Sequence, residues 1–119
     1  TGSGRHCVKY LFQMVFKAIC SGGHPVVIIA EDLQWSDAFT IEILSDLIET
    51  GRSSSELCSD GQAPQGGLLL VGSFRDNEVD ADGFLMNQIK CIEQSNVNVN
   101  ILHVGELTEH GINKMIAYK

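Results

Sequence analysis

A chain of 119 residues suffices for one small domain or for part of a larger one, and its 44% apolar content allows a real core. A formal net charge of -7, with no cluster of lysines or arginines, disfavours non-specific binding to nucleic acid or to an anionic membrane. Cys7, Cys20, Cys58 and Cys91 are scattered, with no C-x-x-C pair. Neither a spaced metal-ligand set nor a dense disulfide framework fits them, and reduced thiols in a cytoplasmic setting are the simplest reading.

No apolar run is long enough to cross a membrane, and there is neither an initiator methionine nor a signal-peptide pattern. The abrupt start on Thr-Gly-Ser-Gly-Arg suggests a fragment. From about Arg5 to Cys20, the residues Cys7, Val8, Leu11, Met14, Val15, Ala18 and Ile19 recur at helical spacing opposite Lys9, Gln13 and Lys17. Gly22-Gly23 stops that helix, and Pro25 fixes the entry to the next element.

Val26 to Ala30 is a continuous apolar run rich in β-branched residues, read as a strand buried on both faces. Ser36 or Asp37 suits the cap of a helix whose core side carries Phe39, Ile43, Leu44, Leu47 and Ile48. Residues 51–66, GRSSSELCSDGQAPQG, turn polar and read as a flexible surface loop. GLLLVGSFR is a second doubly buried strand. Leu85, Ile89 and Ile92 space a further helix, and NVNVNILHV predicts a third strand. Thr108 suits an N-cap, Glu109 the helix dipole, and Leu107 a staple to Ile112. Ile112, Met115 and Ile116 form the expected buried stripe of this last helix. The alternation implies an α/β fold in one domain spanning 1–119: a three-layer sandwich, a mostly parallel sheet with helices on both faces.

In open parallel sheets, ligands bind outside the carboxyl ends of the strands. Glu31 and Asp32 end the first strand, and Arg75 the second. Adjacent carboxylates repel, and burying either unpaired is costly, so something positive is expected opposite them. A divalent cation would answer the acids and an anion the arginine; a nucleoside triphosphate with magnesium supplies both. The plainer alternatives are a solvated strand end for Glu31-Asp32 and a local pairing of Arg75 with Glu78 or Asp76, an exposed contact worth little. Trp35 reads as a packing residue over the strand–helix corner. His6, His24, His103 and His110 show no ligand spacing.

PVVIIAEDLQWSD, then LLLVGSFRDNE, then ILHVGELTEHGINKMI resembles the ATPase core of the AAA-like STAND group, signal-transduction NTPases related to the origin-recognition type of AAA ATPase. The resemblance runs from about His6 to Lys119. The apolar strand with its acidic pair and Leu-x-Trp-x-Asp looks like the Walker B region, and the strand ending Ser73-Phe74-Arg75 like sensor 1. It implies a partial P-loop NTPase fold that takes ATP and Mg²⁺. Glu31 matches the magnesium-associated acid, Asp32 the residue that both touches the metal and polarises water, and Arg75 the sensor of the terminal phosphate.

Two departures stand out: Glu31 lies where Asp is the more usual magnesium partner, and no G-x-x-x-x-G-K-[ST] occurs. TGSGR lacks the Lys-[ST] pair and a preceding strand, and is rejected as a phosphate loop. In the family fold the P-loop strand lies between the sensor strand and the last strand seen here. Its loss predicts either a gap with exposed sheet edges or a direct pairing of those two strands. The expected function is therefore the Walker B and sensor 1 half of an ATP-binding and hydrolysing switch, itself inactive alone, working with other domains of its chain and, in some assemblies, further copies. The alternative is a degenerate ATPase fold serving as a protein-interaction scaffold. A receiver-type phosphoacceptor domain fits poorly: the middle strand offers no acceptor aspartate and the last no lysine.

Overall fold

Helix α1 (Gly2–Ser21) ends where the glycines were expected to stop it. Gly23 adopts φ 75°, and its N–H donates to the Cys20 carbonyl at 3.2 Å, a left-handed stop that a β-carbon would strain. The computed structural model describes residues 2–56 and 67–118. Strand β1 (Val26–Ala30) follows, then a single 3-10 turn at Leu33–Trp35 and helix α2 (Ala38–Glu56). Strand β2 (Leu68–Gly72), a second 3-10 turn at Asp76–Glu78, helix α3 (Phe84–Gln94) and helix α4 (Glu109–Ala117) complete the order.

The two strands pair in parallel, from Val26 opposite Leu68 to Ala30 opposite Gly72. The fold is thus mixed α/β. Side chains alternate across the sheet by the period of two that pleating imposes. Val26, Ile28, Ala30, Leu68 and Leu70 are half-buried on the covered face, whereas Val27, Ile29, Leu69 and Val71 are exposed on the other. The expectation of strands buried on both faces is therefore corrected: among the described residues helices cover one face of the sheet.

Helix α2 packs on β2, with α1 and α3 against α2. The core joins Leu33, Ile41 and Leu85, with Ala30, Leu44, Phe74, Val79 and Ile89 packed against it. Ile41, absent from the expected core face of α2, is its anchor beside the buried Leu47, while Phe39 and Ile43 are only half-buried. Gly51 lies against Leu68, where an added β-carbon would sit 3.2 Å from the leucine Cβ, so helix and strand approach closely there. Residues 51–56, expected in a loop, continue α2; residues 57–66 of that loop lie outside the described residues.

Helix α1 reverses its expected orientation. Phe16 is buried, and Lys9, Gln13 and Cys20 share its half-covered side, while Val8, Leu11, Met14, Val15 and Ile19 are exposed. On that side α2 offers charged and aromatic partners. Lys9 Nζ reaches Glu42 Oε2 at 2.8 Å and Asp46 Oδ2 at 3.3 Å, and the Arg5 guanidinium lies 5.2 Å from the Phe39 ring centre. The Glu42 carboxylate, with Asp46, raises the Lys9 pKa above the ordinary lysine value.

The expected third strand is corrected as well: residues 97–107 carry no strand, and among the described residues none of them makes a backbone–backbone hydrogen bond. Of the two outcomes foreseen for the sheet, the direct pairing of this segment with β2 does not form. Thr108 does cap α4, accepting the Gly111 N–H at 3.1 Å. The buried stripe of α4 does not materialise, since Ile112, Met115 and Ile116 are exposed. Cys7, Cys20 and Cys91 are free thiols, and Cys58 lies outside the described residues. No helix of the described residues is long and apolar enough to cross a membrane.

Candidate functional site

The parallel register places the ends of β1 and β2 side by side, so Glu31-Asp32 and Ser73–Arg75 leave the same edge of the sheet. Backbone bonds extend this pairing past the strands: Ser73 N–H donates to the Ala30 carbonyl and Leu33 N–H to the Ser73 carbonyl, both at 2.9 Å. Leu33 turns inward as part of the core, and this anchors the acidic pair at the surface.

Asp32 holds φ 55° and ψ 45°, a left-handed conformation that a non-glycine residue adopts at some cost, and that Asp tolerates better than most. It marks the point where the chain leaves the strand and enters the 3-10 turn. Gln34 then bridges the two strand ends. Its Nε2 donates to Asp32 Oδ1 at 3.1 Å, while its Oε1 accepts the Arg75 backbone N–H at 3.2 Å.

Glu31 and Asp32 are both exposed, which removes the premise that a buried charge demands an opposing cation: water screens the pair. Glu31 has no hydrogen bond or ion pair among the described residues. The Arg75 guanidinium pairs with Glu78 Oε1 at 3.0 Å and lies 5.6 Å from the Trp35 ring centre. The local pairing foreseen for Arg75 is thus present, with Glu78. Trp35, expected to cover the strand–helix corner, is 69% exposed and serves instead as a face for the arginine; Leu33 fills the corner.

Asp37 caps α2. Its Oδ1 accepts the Thr40 N–H at 2.9 Å, and these Thr40 contacts lower its pKa below the ordinary carboxylate value, with Arg5 adding to the effect. Beside the site, a recess of about 190 Å³ opens between the starts of α2 and α3, lined by Leu33, Gln34, Ile41, Glu78, Phe84 and Leu85 among others. Ligand clefts usually measure about 300–1,000 Å³, so this recess is too small for a nucleotide. Glu31, Asp32 and Arg75 do not line it, although Gln34 and Glu78 belong to both.

The donor set limits what the site can hold. No group of three or more His, Cys, Asp or Glu side chains converges among the described residues. Two carboxylates fit magnesium only when phosphates and water provide the remaining oxygens, which is how Mg²⁺ is commonly bound. Sequence reasoning reached Asp32 and Arg75 but missed Gln34, which ties them together. Its position within Glu-Asp-Leu-Gln-Trp was visible; the direction of its amide was not. No known protein family, curated protein or solved structure matches the chain.

Proposed function

We propose that this chain is the Walker B and sensor 1 half of an ATP-binding and hydrolysing switch module, a part of a three-layer P-loop NTPase fold acting in the cytoplasm. One observation supports the reading above the others: parallel pairing of β1 and β2 puts Glu31-Asp32 and Arg75 at one edge, with Gln34 linking them. In this reading Glu31 and Asp32 hold a magnesium ion that arrives with the nucleotide and neutralises phosphate charge. Asp32 orients and polarises the attacking water. Arg75 exchanges Glu78 for the terminal phosphate, an inexpensive step because the exposed ion pair is worth roughly 0–1 kcal/mol. The binding energy that a glycine-rich loop supplies must come from outside these residues, since none carries that motif.

Trp35, the sole tryptophan, reports on the exchange because Arg75 lies over its ring. Magnesium-ATP is expected to change its fluorescence saturably, whereas adenosine, which lacks phosphate, does not. Arg75→Ala and Asp32→Asn weaken the response at least tenfold. Nucleotide binding and turnover that persist unchanged when both substitutions are made in the longest natural chain carrying these residues would overturn the reading.

A protein-interaction scaffold without turnover is the second reading. It is favoured by the engagement of Arg75 with Glu78 and by the exposed apolar faces of the sheet and of α1. A silent Trp35 in that same chain would promote it.

A further inference from the structure

Helix α1 stands apart from the core. No residue of it belongs to the cluster built around Leu33, Ile41 and Leu85. Among its described side chains only Phe16 is buried; Lys9, Gln13 and Cys20 are half-covered, and the rest are exposed. These four lie at spacings of four, three and four, so they form one narrow stripe, the whole covered side of the helix.

That stripe meets α2 largely through charge. Helix α1 carries Arg5, Lys9 and Lys17 and no carboxylate, whereas α2 starts behind Asp37 and presents Glu42 and Asp46 one turn apart. Lys9 Nζ spans both acids, at 2.8 and 3.3 Å, and its side chain is 24% exposed. The Arg5 guanidinium lies 5.2 Å from the Phe39 ring centre, and its charge also bears on Asp37. Phe16 is the one buried apolar anchor on the α1 side.

The connection after α1 allows the helix to move without disturbing the sheet. Gly22-Gly23 ends it, with Gly23 in the left-handed region that glycine adopts freely. Just beyond, Val26 N–H donates to the Gly67 carbonyl at 2.8 Å, where the pairing of β1 with β2 begins.

We propose that α1 is an electrostatic latch: Arg5 and Lys9 hold it on Asp37, Glu42 and Asp46 of the α2 flank, and it detaches about Gly22-Gly23 when those charges are screened. Most of a helix's stability in a protein comes from its packing, so the detached helix frays and its amides lose protection. The latch is independent of the nucleotide reading. It leaves the carboxyl ends of β1 and β2 untouched.

Hydrogen exchange in the natural chain carrying these residues, read by mass spectrometry on peptides from α1, α2 and β1, tests this. Between about 0.01 M and about 1 M salt the screening length falls from ~30 Å to ~3 Å. Exchange in α1 is expected to speed up about three- to tenfold over that range, as two partly exposed ion pairs weaken. Peptides of α2 and β1 keep their rates. Lys9→Met preserves the aliphatic stem without the charge; it gives the fast rate already at low salt and removes most of the salt response. Lys9→Glu is faster still, and adding Glu42→Lys with Asp46→Lys restores protection. Phe16→Ala speeds α1 at every salt concentration but leaves the salt response in place. A parent chain whose α1 ignores salt overturns the proposal. So does a response that Lys9→Met retains, one that β1 shares equally, or a Lys9→Glu variant that the two reversals fail to restore.

Discussion

Gln34 accepts the backbone N–H of Arg75 at 3.2 Å across 41 residues of sequence. This bond couples the turn after β1 to the segment after β2, and it fixes how far the acidic pair lies from the arginine. Gln34→Ala is expected to lower stability by about 1 kcal/mol, the usual net worth of one hydrogen bond. Denaturant unfolding measures it. The same variant should alter Trp35 fluorescence, because Arg75 is no longer held over the ring.

Glu78 competes with any anion for Arg75. Glu78→Gln removes that competitor, and the exposure of the pair caps the gain at about fivefold tighter phosphate binding. Titration of magnesium-ATP against the two proteins, read at Trp35, shows it. A loss of affinity on this substitution would argue that Glu78 belongs to the site rather than restraining it.

The left-handed backbone at Asp32 separates fold from function. Asp32→Gly relaxes a conformation glycine adopts freely, and is expected to keep stability within about 1 kcal/mol of the parent. Asp32→Val forces a β-branched residue into the same angles and should cost about 1–2 kcal/mol. Both remove the carboxylate. If the nucleotide reading holds, both abolish the ATP response, although only the valine variant is weakened.

Gly72 closes the end of β2 against the core. A β-carbon there would lie 2.7 Å from Leu33 Cδ1. Gly72→Ala is therefore expected to cost about 1–3 kcal/mol through overpacking. Leu33→Ala costs about 2–5 kcal/mol alone. In the double variant the clash disappears, so the two losses should add to less than their sum in a thermodynamic cycle.

Asp37 gives the fold a pH dependence of known sign. Its folded-state pKa lies below the ordinary value of 3.8 through its Thr40 contacts. The stabilisation is fully present above that value and is lost as pH falls through the lower, folded-state value. Asp37→Asn keeps an N-cap acceptor and should retain much of the thermal stability at neutral pH while flattening this acid limb. Asp37→Ala should lose the cap at every pH. Thermal melts between neutral and acidic buffers distinguish the three proteins.

Much of this architecture was legible because it rests on local backbone chemistry. The bounds of β1 at Val26–Ala30, the caps Asp37 and Thr108, and the stop at Gly22-Gly23 all follow from residues within a few positions of each other. Two apolar runs separated by a helix also implied a parallel pair, and hence that Glu31-Asp32 and Arg75 would share an edge.

Which surfaces meet was decided only in three dimensions. Periodicity identifies the two sides of α1 but not the one that docks, and the side that faces α2 is the one on which Lys9 meets Glu42 and Asp46. NVNVNILHV has the alternation of a strand, yet a strand forms only on a neighbour's N–H and C=O groups, and among the described residues this segment pairs with neither open edge of the two-stranded sheet. The acidic pair likewise needed no buried counter-charge once it stood in water. Local sequence sets the conformations a segment favours; burial depends on which complementary surface lies within reach, and that is a property of the assembled chain.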